Sequence, residues 1–266
     1  HIRISLAYVI MIILIWIPMA RRKSLAFLDV GQGDCFVADT KSGAIIFDGG
    51  SSSEDQVGRY RILPYMKYLG YQKIQIAVIS HMDIDHYSGI KELLEMGKIK
   101  YLGLPEIPKD ETMKKIIGIA KKRGTTIFYL SRGRQITTKD GSLKVLHPQK
   151  NSQMEKNAAS LVMQGKILGY RVLLTGDVEK EGEEELLLEE LERADILKAA
   201  HHGSKNSTSN EFLQKVQPKQ TVISCGKQNR YGHPHLETIH RLQTYHTKIY
   251  RTDRSGAIIF FKRRDG

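Results

Sequence analysis

Hydrophobic and polar positions along this chain form a pattern that occurs twice. In the first half, segments 35–39 and 43–47 lie around the turn residues Lys41-Ser42-Gly43 and predict a hairpin that ends at Asp48. A segment with helical spacing follows. The apolar segment 74–79 then predicts a buried strand that stops at His81.

The same order returns in the second half. Segments 160–164 and 170–174 predict a second hairpin, which ends at Asp177. A helical segment follows, and the apolar segment 196–200 predicts a strand that stops at His201. The acidic turn and the histidine turn therefore recur, in a repeat of architecture rather than of sequence.

The remaining segments continue the alternation of strands and helices. We predict further strands over 24–30, 100–104, 125–129, 143–146, 221–224, 248–250 and 257–262, and helices over 62–69, 88–96, 112–123, 211–216 and 235–245. Two such halves predict an α/β fold in which two sheets pack together with helices outside. The loops at equivalent strand ends then meet at one shared edge, where functional sites are usually built.

The N-terminal residues have a different character. Segment 4–20 is apolar apart from Ser5, and three basic residues (21–23) follow it at once. Its 17 residues are the short end of a spanning helix. We therefore predict a transmembrane helix with a basic flank over 1–23 and a separate folded domain over 24–266.

Three interpretations of this segment compete: the last helix of a multi-span protein, a single anchor, or the core of a signal peptide. The first residue is His1 rather than Met, and basic residues follow the apolar run, which favours the first two. The basic flank by itself would place the downstream domain in the cytoplasm.

The charge of the chain is unevenly distributed. The net charge is +12, but segment 178–193, which includes a helix predicted over 181–193, carries −6 and the rest +18. A basic body favours polyanionic partners such as nucleic acid or anionic lipid, although a solvated basic surface explains the charge equally well. The two cysteines have no paired spacing, so they indicate neither a disulfide framework nor a cysteine metal site.

Four potential metal ligands follow the predicted strand 74–79. His81, Asp83, Asp85 and His86 lie within six residues at its end. Imidazole and carboxylate donors together suit Zn²⁺, Mn²⁺ or Fe and disfavour a soft-metal site. This spacing predicts a metal site at the shared edge of the sheets.

The second half supplies further ligands. Asp177 with His201 or His202 could complete two coordination shells, and two metals ~3.5–4 Å apart can together clamp a phosphoryl or carbonyl oxygen. Since His201 and His202 are adjacent, we expect one to bind metal and the other to contact substrate or support a ligand. His201 is slightly favoured as the ligand.

These motifs resemble those of a known superfamily. Segment 81–86 resembles the HxHxDH signature of the metallo-β-lactamase superfamily, with Asp83 in place of the second histidine. Asp48, Thr175-Gly176-Asp177 and His201-His202-Gly203 resemble its buttressing aspartate, its bridging-aspartate motif and its late-histidine motif. The resemblance covers residues 24–262 and implies an αββα sandwich, here preceded by one hydrophobic helix.

Further motifs narrow the resemblance. Segments 29–34 (DVGQGD), 157–160 (NAAS), 197–204 (LKAAHHGS) and 231–235 (YGHPH) together resemble the C-terminal domain of ComEC-type DNA-internalisation competence proteins. That family implies a metal-dependent phosphodiesterase or nuclease acting on DNA during uptake. It also implies a preceding multi-span channel, partners that include DNA and the membrane, and a location on the outer face of the cell membrane.

The resemblance also implies roles for single residues. Asp85 would orient or deprotonate the attacking water, and His233, in a Gly-His-Pro turn, would hold a phosphate or protonate a leaving oxygen. Side chains that either hydrogen-bond substrate oxygens or only stabilise local turns are Asn157, Ser160, Ser204 and Asn206. Segment 31–33 (Gly-Gln-Gly) is too short for a nucleotide-binding fingerprint and predicts a tight turn.

Two departures from the superfamily affect the metal prediction. Asp83 replaces a histidine, and Asn157 stands nearest to the place of the third histidine motif. The oxygen-rich ligand set favours Mn²⁺, with Zn²⁺ as the alternative, and either one or two ions. An inactive site also stays open, so the competing functions are a DNA-guiding module without catalysis and a membrane-anchored hydrolase of small molecules.

Overall fold

The computed structural model describes residue 8, residues 22–154 and residues 157–263. Apart from Tyr8, the apolar segment 4–20 lies outside the described residues, so the transmembrane helix stays a prediction. Within the described ranges, no helix is both long enough and apolar enough to cross a bilayer.

The first sheet contains seven strands, with all strands numbered in chain order. They are β1 (Ser24–Phe27), β2 (Phe36–Thr40), β3 (Gly43–Phe47), β4 (Ile74–Val78), β5 (Ile99–Pro105), β6 (Thr126–Leu130) and, from the C-terminal end, β14 (Ile258–Phe261). Their order is β14-β1-β2-β3-β4-β5-β6. Pairing is antiparallel from β14 to β3 and parallel from β3 to β6.

The second sheet has the same plan. Its strands are β7 (Gln135–Thr138), β8 (Gly141–His147), β9 (Val162–Ile167), β10 (Tyr170–Leu174), β11 (Ile196–Lys198), β12 (Gln220–Ile223) and β13 (Lys248–Arg251). They lie in the order β13-β12-β11-β10-β9-β8-β7; pairing is parallel from β13 to β10 and antiparallel from β10 to β7. The repeat predicted from sequence is therefore a repeat of sheet topology.

Among the described helices, all but the last connect parallel strands, and the last links β13 to β14 of the other sheet. They are α1 (Leu63–Tyr68), α2 (Ile84–Glu95), α3 (Glu111–Lys122), α4 (Lys180–Leu187), α5 (Asn210–Val216), α6 (Leu236–Thr244) and α7 (Thr252–Ser255). A π-type turn (Gly58–Ile62) precedes α1, and a 3₁₀ turn (Ala200–Gly203) follows β11. Asp110 caps α3 through Met113 N at 2.7 Å.

Buried apolar side chains form three layers. Ile45 belongs to the cluster between the two sheets, whereas its neighbour Ile46 belongs to the cluster under the first set of helices. In the second sheet, Leu174 faces the sheet interface and Leu173 faces the other helices. Because successive side chains on a strand point to opposite faces, both sheets are covered on both sides. The predicted αββα sandwich is confirmed.

Several elements differ from the sequence prediction. Helix α2 begins at Ile84 rather than at residue 88, so Asp85 and His86 lie in its first turn. Helix α4 ends at Leu187, well short of residue 193, in a segment whose crowded glutamates repel one another. Strand β7 was not predicted, because Ile136 is its one buried residue and no alternation marks it.

The turn that carries Asp34 lies against the backbone of two other loops. A Cβ added to Gly33 would come within 2.7 Å of the Asp85 carbonyl oxygen and closer still to that of Gly50. We predict that Gly33→Ala lowers the free energy of unfolding by about 1–3 kcal/mol, because none of these backbones has room to move. Urea unfolding measures this change.

Gly118 provides the matched control. It lies in α3 with no atom within 4 Å of an added Cβ, so Gly118→Ala should stabilise the chain by about 0.5–1 kcal/mol. Equal effects of the two substitutions would contradict the close approach at Gly33.

Candidate metal centre

Asp48 fixes the first histidine of the site. Its carboxylate, fully buried at the end of β3, accepts hydrogen bonds from Ser80 N at 2.7 Å, Ser80 Oγ at 2.8 Å and His86 Nδ1 at 2.9 Å. Because Nδ1 donates to Asp48, the lone pair of the neutral His86 ring lies on Nε2. A carboxylate behind an imidazole in this way orients it as a metal ligand.

His202 is oriented by the backbone. Its Nδ1 lies 2.9 Å from the carbonyl oxygen of Ser224, which can only accept, so Nδ1 carries the proton and Nε2 the lone pair. His201 and His202 both have left-handed backbone conformations, with φ of 47° and 54°. Such conformations are costly for residues other than glycine and are typical of functional sites.

Asp177 lies between these two rings. Its Oδ2 is 3.1 Å from His86 Nε2 and 3.3 Å from His202 Nε2, while its Oδ1 is 3.5 Å from Lys198 Nζ. Asp85 Oδ2 lies 3.4 Å from His202 Nε2 on the same side. Two imidazole nitrogens and two carboxylates therefore converge on one point at the shared edge of the sheets.

The buried nitrogens indicate what the cluster binds. Among the described residues, the Nε2 atoms of His81, His86 and His202 are buried without a hydrogen-bond partner of good geometry. Buried polar atoms are rarely left unsatisfied, and imidazole with carboxylate is a donor set for Zn²⁺, Mn²⁺ or Fe. The residues thus fit a divalent metal, which His86, His202, Asp177 and Asp85 would hold.

Asp34 also belongs to the cluster by distance. One ligand atom from each of Asp34, His86, Asp177 and His202 lies within 4.8 Å of the others. Asp34, however, approaches the Nδ1 sides of the rings, at 3.6 Å from His202 and 3.7 Å from His86, and forms an ion pair with Lys198. Since both Nδ1 atoms already donate elsewhere, we assign Asp34 to positioning rather than to metal ligation.

The carboxylates control the protonation of the rings. Burial alone would lower the pKa of His202, but the charges of Asp177 and Asp34 raise it to about 10. Burial would also lower the pKa of His86, but the charges of Asp177 and Asp48 raise it well above its usual value. Since imidazole binds metal only when deprotonated, a metal must displace protons here and binds more tightly as pH rises.

His81 and Asp83 lie at the edge of the cluster. His81 is buried, with its ring centroid 4.2 Å from that of His86, and its Nε2 lies 3.6 Å from Asp83 Oδ2. Asp83 precedes α2 and its side chain is 38% exposed. Together with Asp177 they are the residues that could hold a second ion.

His201 lies beside the cluster rather than in it. Its Nδ1 is 2.8 Å from Glu179 Oε1, and its Nε2 is 3.8 Å from Asp177 Oδ2. The structure therefore brings His202, and not the residue favoured from sequence, into the group of buried ligands.

An open cavity of about 440 Å³ borders the metal cluster. Residues in its wall include Gln32, Asp83, Asp85, Asp177, His202 and His233. Burial and the charges of His202 and His201 lower the pKa of His233 to about 4, so this ring is neutral at pH 7. The cavity is large enough for a phosphate with its flanking groups.

The predicted substrate residues do not line this cavity. Asn157 and Asn206 line a separate groove that also contains Glu179 and Glu183. Ser204 is buried, and its Oγ accepts a hydrogen bond from the Asn206 backbone at 3.3 Å. Ser160 is buried as well and accepts a hydrogen bond from the Asp177 backbone at 3.3 Å.

Lys198 is a site residue for which the sequence analysis assigned no role. It extends from β11 into the sheet interface, only 4% exposed, and contacts Asp34, Asp177 and the Gly176 carbonyl oxygen at 3.0 Å. Burial would lower its pKa, but Asp34 and Asp177 raise it, so the ammonium group stays charged. A lysine within an apolar strand was the available signal, since buried lysines are nearly always paired.

A sequence profile of the metallo-beta-lactamase superfamily matches residues 28–227. The chain belongs to this superfamily. Among solved structures, the metallo-beta-lactamase fold protein YhfI from Bacillus subtilis has a TM-score of 0.59 at 12% identity, covering 90% of this chain and 99% of that one. Human tRNase Z, short form, has a TM-score of 0.52 at 13% identity, with 91% and 100% coverage. At these identities, the likeness concerns the fold alone.

Comparison with curated proteins indicates which family within the superfamily the chain resembles. ComE operon protein 3 of Bacillus subtilis (strain 168) is 35% identical, over 97% of this chain and 35% of the relative. Competence protein ComA of Neisseria gonorrhoeae is 30% identical, over 90% and 32%. These are ComEC-family competence proteins, so the resemblance inferred from sequence is confirmed. The chain spans about a third of the length of these relatives.

The two adjacent histidines should differ in metal binding. We predict that His202→Ala raises the Kd for Mn²⁺ at least about tenfold, because it removes a buried Nε2 that faces Asp177 and Asp85. His201→Ala, the matched control, should raise it less than about threefold. Calorimetric titration measures both, and equal losses would show that His201 is also a ligand.

Lys198 and Asp34 should be coupled in stability. We predict that Lys198→Met lowers the free energy of unfolding by about 3–5 kcal/mol, because it leaves Asp34 buried and uncompensated. Adding Asp34→Asn should restore much of the loss, as measured by urea unfolding.

A surface pair provides the control for this cycle. Lys114 is 58% exposed and Glu111 79%, and Lys114 Nζ lies 2.8 Å from Glu111 Oε1, so Lys114→Met should cost less than about 1 kcal/mol. Losses from Lys198→Met and Asp34→Asn that simply add would contradict the coupling.

Proposed function

We propose that this domain is a metal-dependent phosphodiesterase that cleaves DNA during its uptake. The observation that carries the proposal is the group formed by the buried His86, His202 and Asp177 and the half-buried Asp85 beside an open cavity. Ligands at the edge of a cavity give a substrate access to the metal, whereas a purely structural metal site is closed.

Hydrolysis at this site would join a water oxygen to phosphorus and break one ester P–O bond, with a proton passing to the leaving oxygen. When bound, a divalent cation supplies positive charge that offsets the negative charge developing on the phosphate. Burial would raise the pKa of Asp85, but His202 and His86 lower it to about 2. An ionised carboxylate of such low basicity is suited to orienting the water rather than to removing its proton.

His233 would act on the substrate from the cavity wall. Its Nδ1 is buried without a hydrogen-bond partner in the residues that the structure describes. Because its pKa is about 4, the neutral ring is suited to donating a hydrogen bond to a phosphate oxygen rather than to acting as a cationic acid.

DNA is the substrate that the charge and the relatives favour. Outside segment 178–193, the chain carries +18, and a basic body holds a polyanion through its phosphates. One relative is named a competence protein, and the chain matches about a third of the length of the relatives. We infer that the domain works at a membrane beside the remainder of a channel protein, with Mn²⁺ or Zn²⁺ as its metal.

The proposal is tested by DNA cleavage with the purified chain. In Mn²⁺ or Zn²⁺ it should cut single- or double-stranded DNA, and Asp85→Asn should lower kcat by about 10²-fold or more, because the amide no longer orients the water as an ionised carboxylate does. DNA affinity should fall steeply as salt rises.

Glu179→Gln is the control for Asp85→Asn, because it makes the same kind of change at a residue outside the ligand group. This substitution should leave the metal content unchanged. Intact DNA in the presence of either metal would overturn the proposal. Salt-sensitive DNA binding without cleavage would select the DNA-guiding module, which is favoured by the missing third histidine, near whose place Asn157 stands. Cleavage of small phosphoesters or lactones alone would select a small-molecule hydrolase.

A further inference from the structure

Gln32 is held rigidly in the turn between β1 and β2. It is 2% exposed, its backbone N–H donates to Ser53 Oγ at 2.8 Å, and its carbonyl oxygen accepts from Ser52 N at 2.8 Å. Its neighbour Gly33 lies against the backbones of Gly50 and Asp85. The position of the Gln32 side chain is therefore fixed before any ligand arrives.

One hydrogen bond also fixes the direction of its amide group. The backbone N–H of Gly226 donates to Gln32 Oε1 at 3.1 Å. A backbone N–H can only donate, so the amide oxygen must face Gly226 and the amide nitrogen must face the other way.

The nitrogen at the other end lacks a partner. Gln32 Nε2 is buried and makes no hydrogen bond within the described ranges. Gln164, also buried, shows the usual arrangement: its Nε2 donates to the Glu192 carbonyl at 2.7 Å and its Oε1 accepts from Glu192 N at 3.1 Å. An unpaired buried donor carries a free-energy penalty, so an acceptor is expected for Gln32 Nε2.

The place of Gln32 indicates the acceptor. It lines the same cavity as Asp85, Asp177 and His202, close to the proposed reaction centre. The three aspartates of this wall, Asp83 among them, can accept hydrogen bonds but cannot donate them when ionised. An anionic substrate therefore needs neutral donors here, and a rigid amide N–H is the type of group that stabilises oxyanions.

We infer that Gln32 Nε2 donates a hydrogen bond to a non-bridging oxygen of the phosphate group bound in this cavity, which makes Gln32 a substrate-binding residue. This inference rests on the proposed function for its substrate class. It gives the Gly31-Gln32-Gly33 turn a role beyond chain reversal: the glycines allow close approach, and the glutamine presents the donor.

The direct test is to measure the Kd of the chain for inorganic phosphate by calorimetry at saturating Mn²⁺. Gln32→Glu keeps an oxygen for Gly226 N and replaces the donor by an acceptor, so the Kd for phosphate should rise at least about tenfold. Gln32→Met removes the donor without adding charge and should also weaken binding. The Kd for Mn²⁺ and thermal unfolding are measured for each variant, so that loss of metal or fold is separated from loss of the donor.

Gln164→Glu is the matched control, because it makes the same change at a buried glutamine whose amide already has both partners. It should reduce stability and leave the Kd for phosphate within about twofold of wild type. A folded, metal-loaded Gln32→Met that binds phosphate as tightly as wild type would overturn the inference and leave an ordered water as the acceptor.

Cleavage of phosphorothioate DNA supplies an independent readout. Sulfur in place of the oxygen that Nε2 contacts should slow the wild type for one diastereomer, and that slowing should largely disappear in Gln32→Met. An undiminished effect in the variant would count against Gln32. If wild type cleaves no DNA, the proposed function fails, while the phosphate measurement still decides the role of Gln32.

Discussion

The buried carboxylate of Asp48 is the contact on which the arrangement of this site depends. It joins the end of β3 to Ser80, which follows β4, and to His86 in the first turn of α2. Parallel strands bring their carboxyl ends to one edge of a sheet, but that alone leaves an imidazole free to rotate. Asp48 accepts a hydrogen bond from His86 Nδ1 and so directs His86 Nε2 toward Asp177. This contact fixes the orientation of the imidazole as a metal ligand.

The two halves use equivalent positions in different ways. Asp48 and Asp177 both follow the second strand of a hairpin, yet Asp48 meets the donor side of the His86 ring and Asp177 meets the ligand side. In the second half, a backbone carbonyl orients His202, and Lys198 holds the second oxygen of Asp177. The repeated topology brings the groups to one edge, and the local contacts then give each group a separate role.

The sequence predicted best the strands that are short apolar runs bounded by turn residues. The strands Gly43–Phe47 and Tyr170–Leu174 were predicted with their observed bounds, and the motif residues His86, Asp177 and His202 do meet. The start of α2 was missed because its first turn is polar and carries ligands. The contact between Lys198 and Asp34 joins residues far apart in the chain, and the choice between His201 and His202 depends on two left-handed residues. Neither is encoded in a local pattern.

The electrostatics of the cavity connect the binding of a metal to the binding of an anionic substrate. A phosphate that entered it would meet Asp83, Asp85 and Asp177, and the buried Lys198 is already engaged by Asp34 and Asp177. Ionised carboxylates repel an anion strongly where water is scarce, so the binding energy must come from a cation and from neutral donors. A metal held by these same carboxylates would supply that charge. Metal and phosphate affinities would then be linked, and each would raise the other by the same factor.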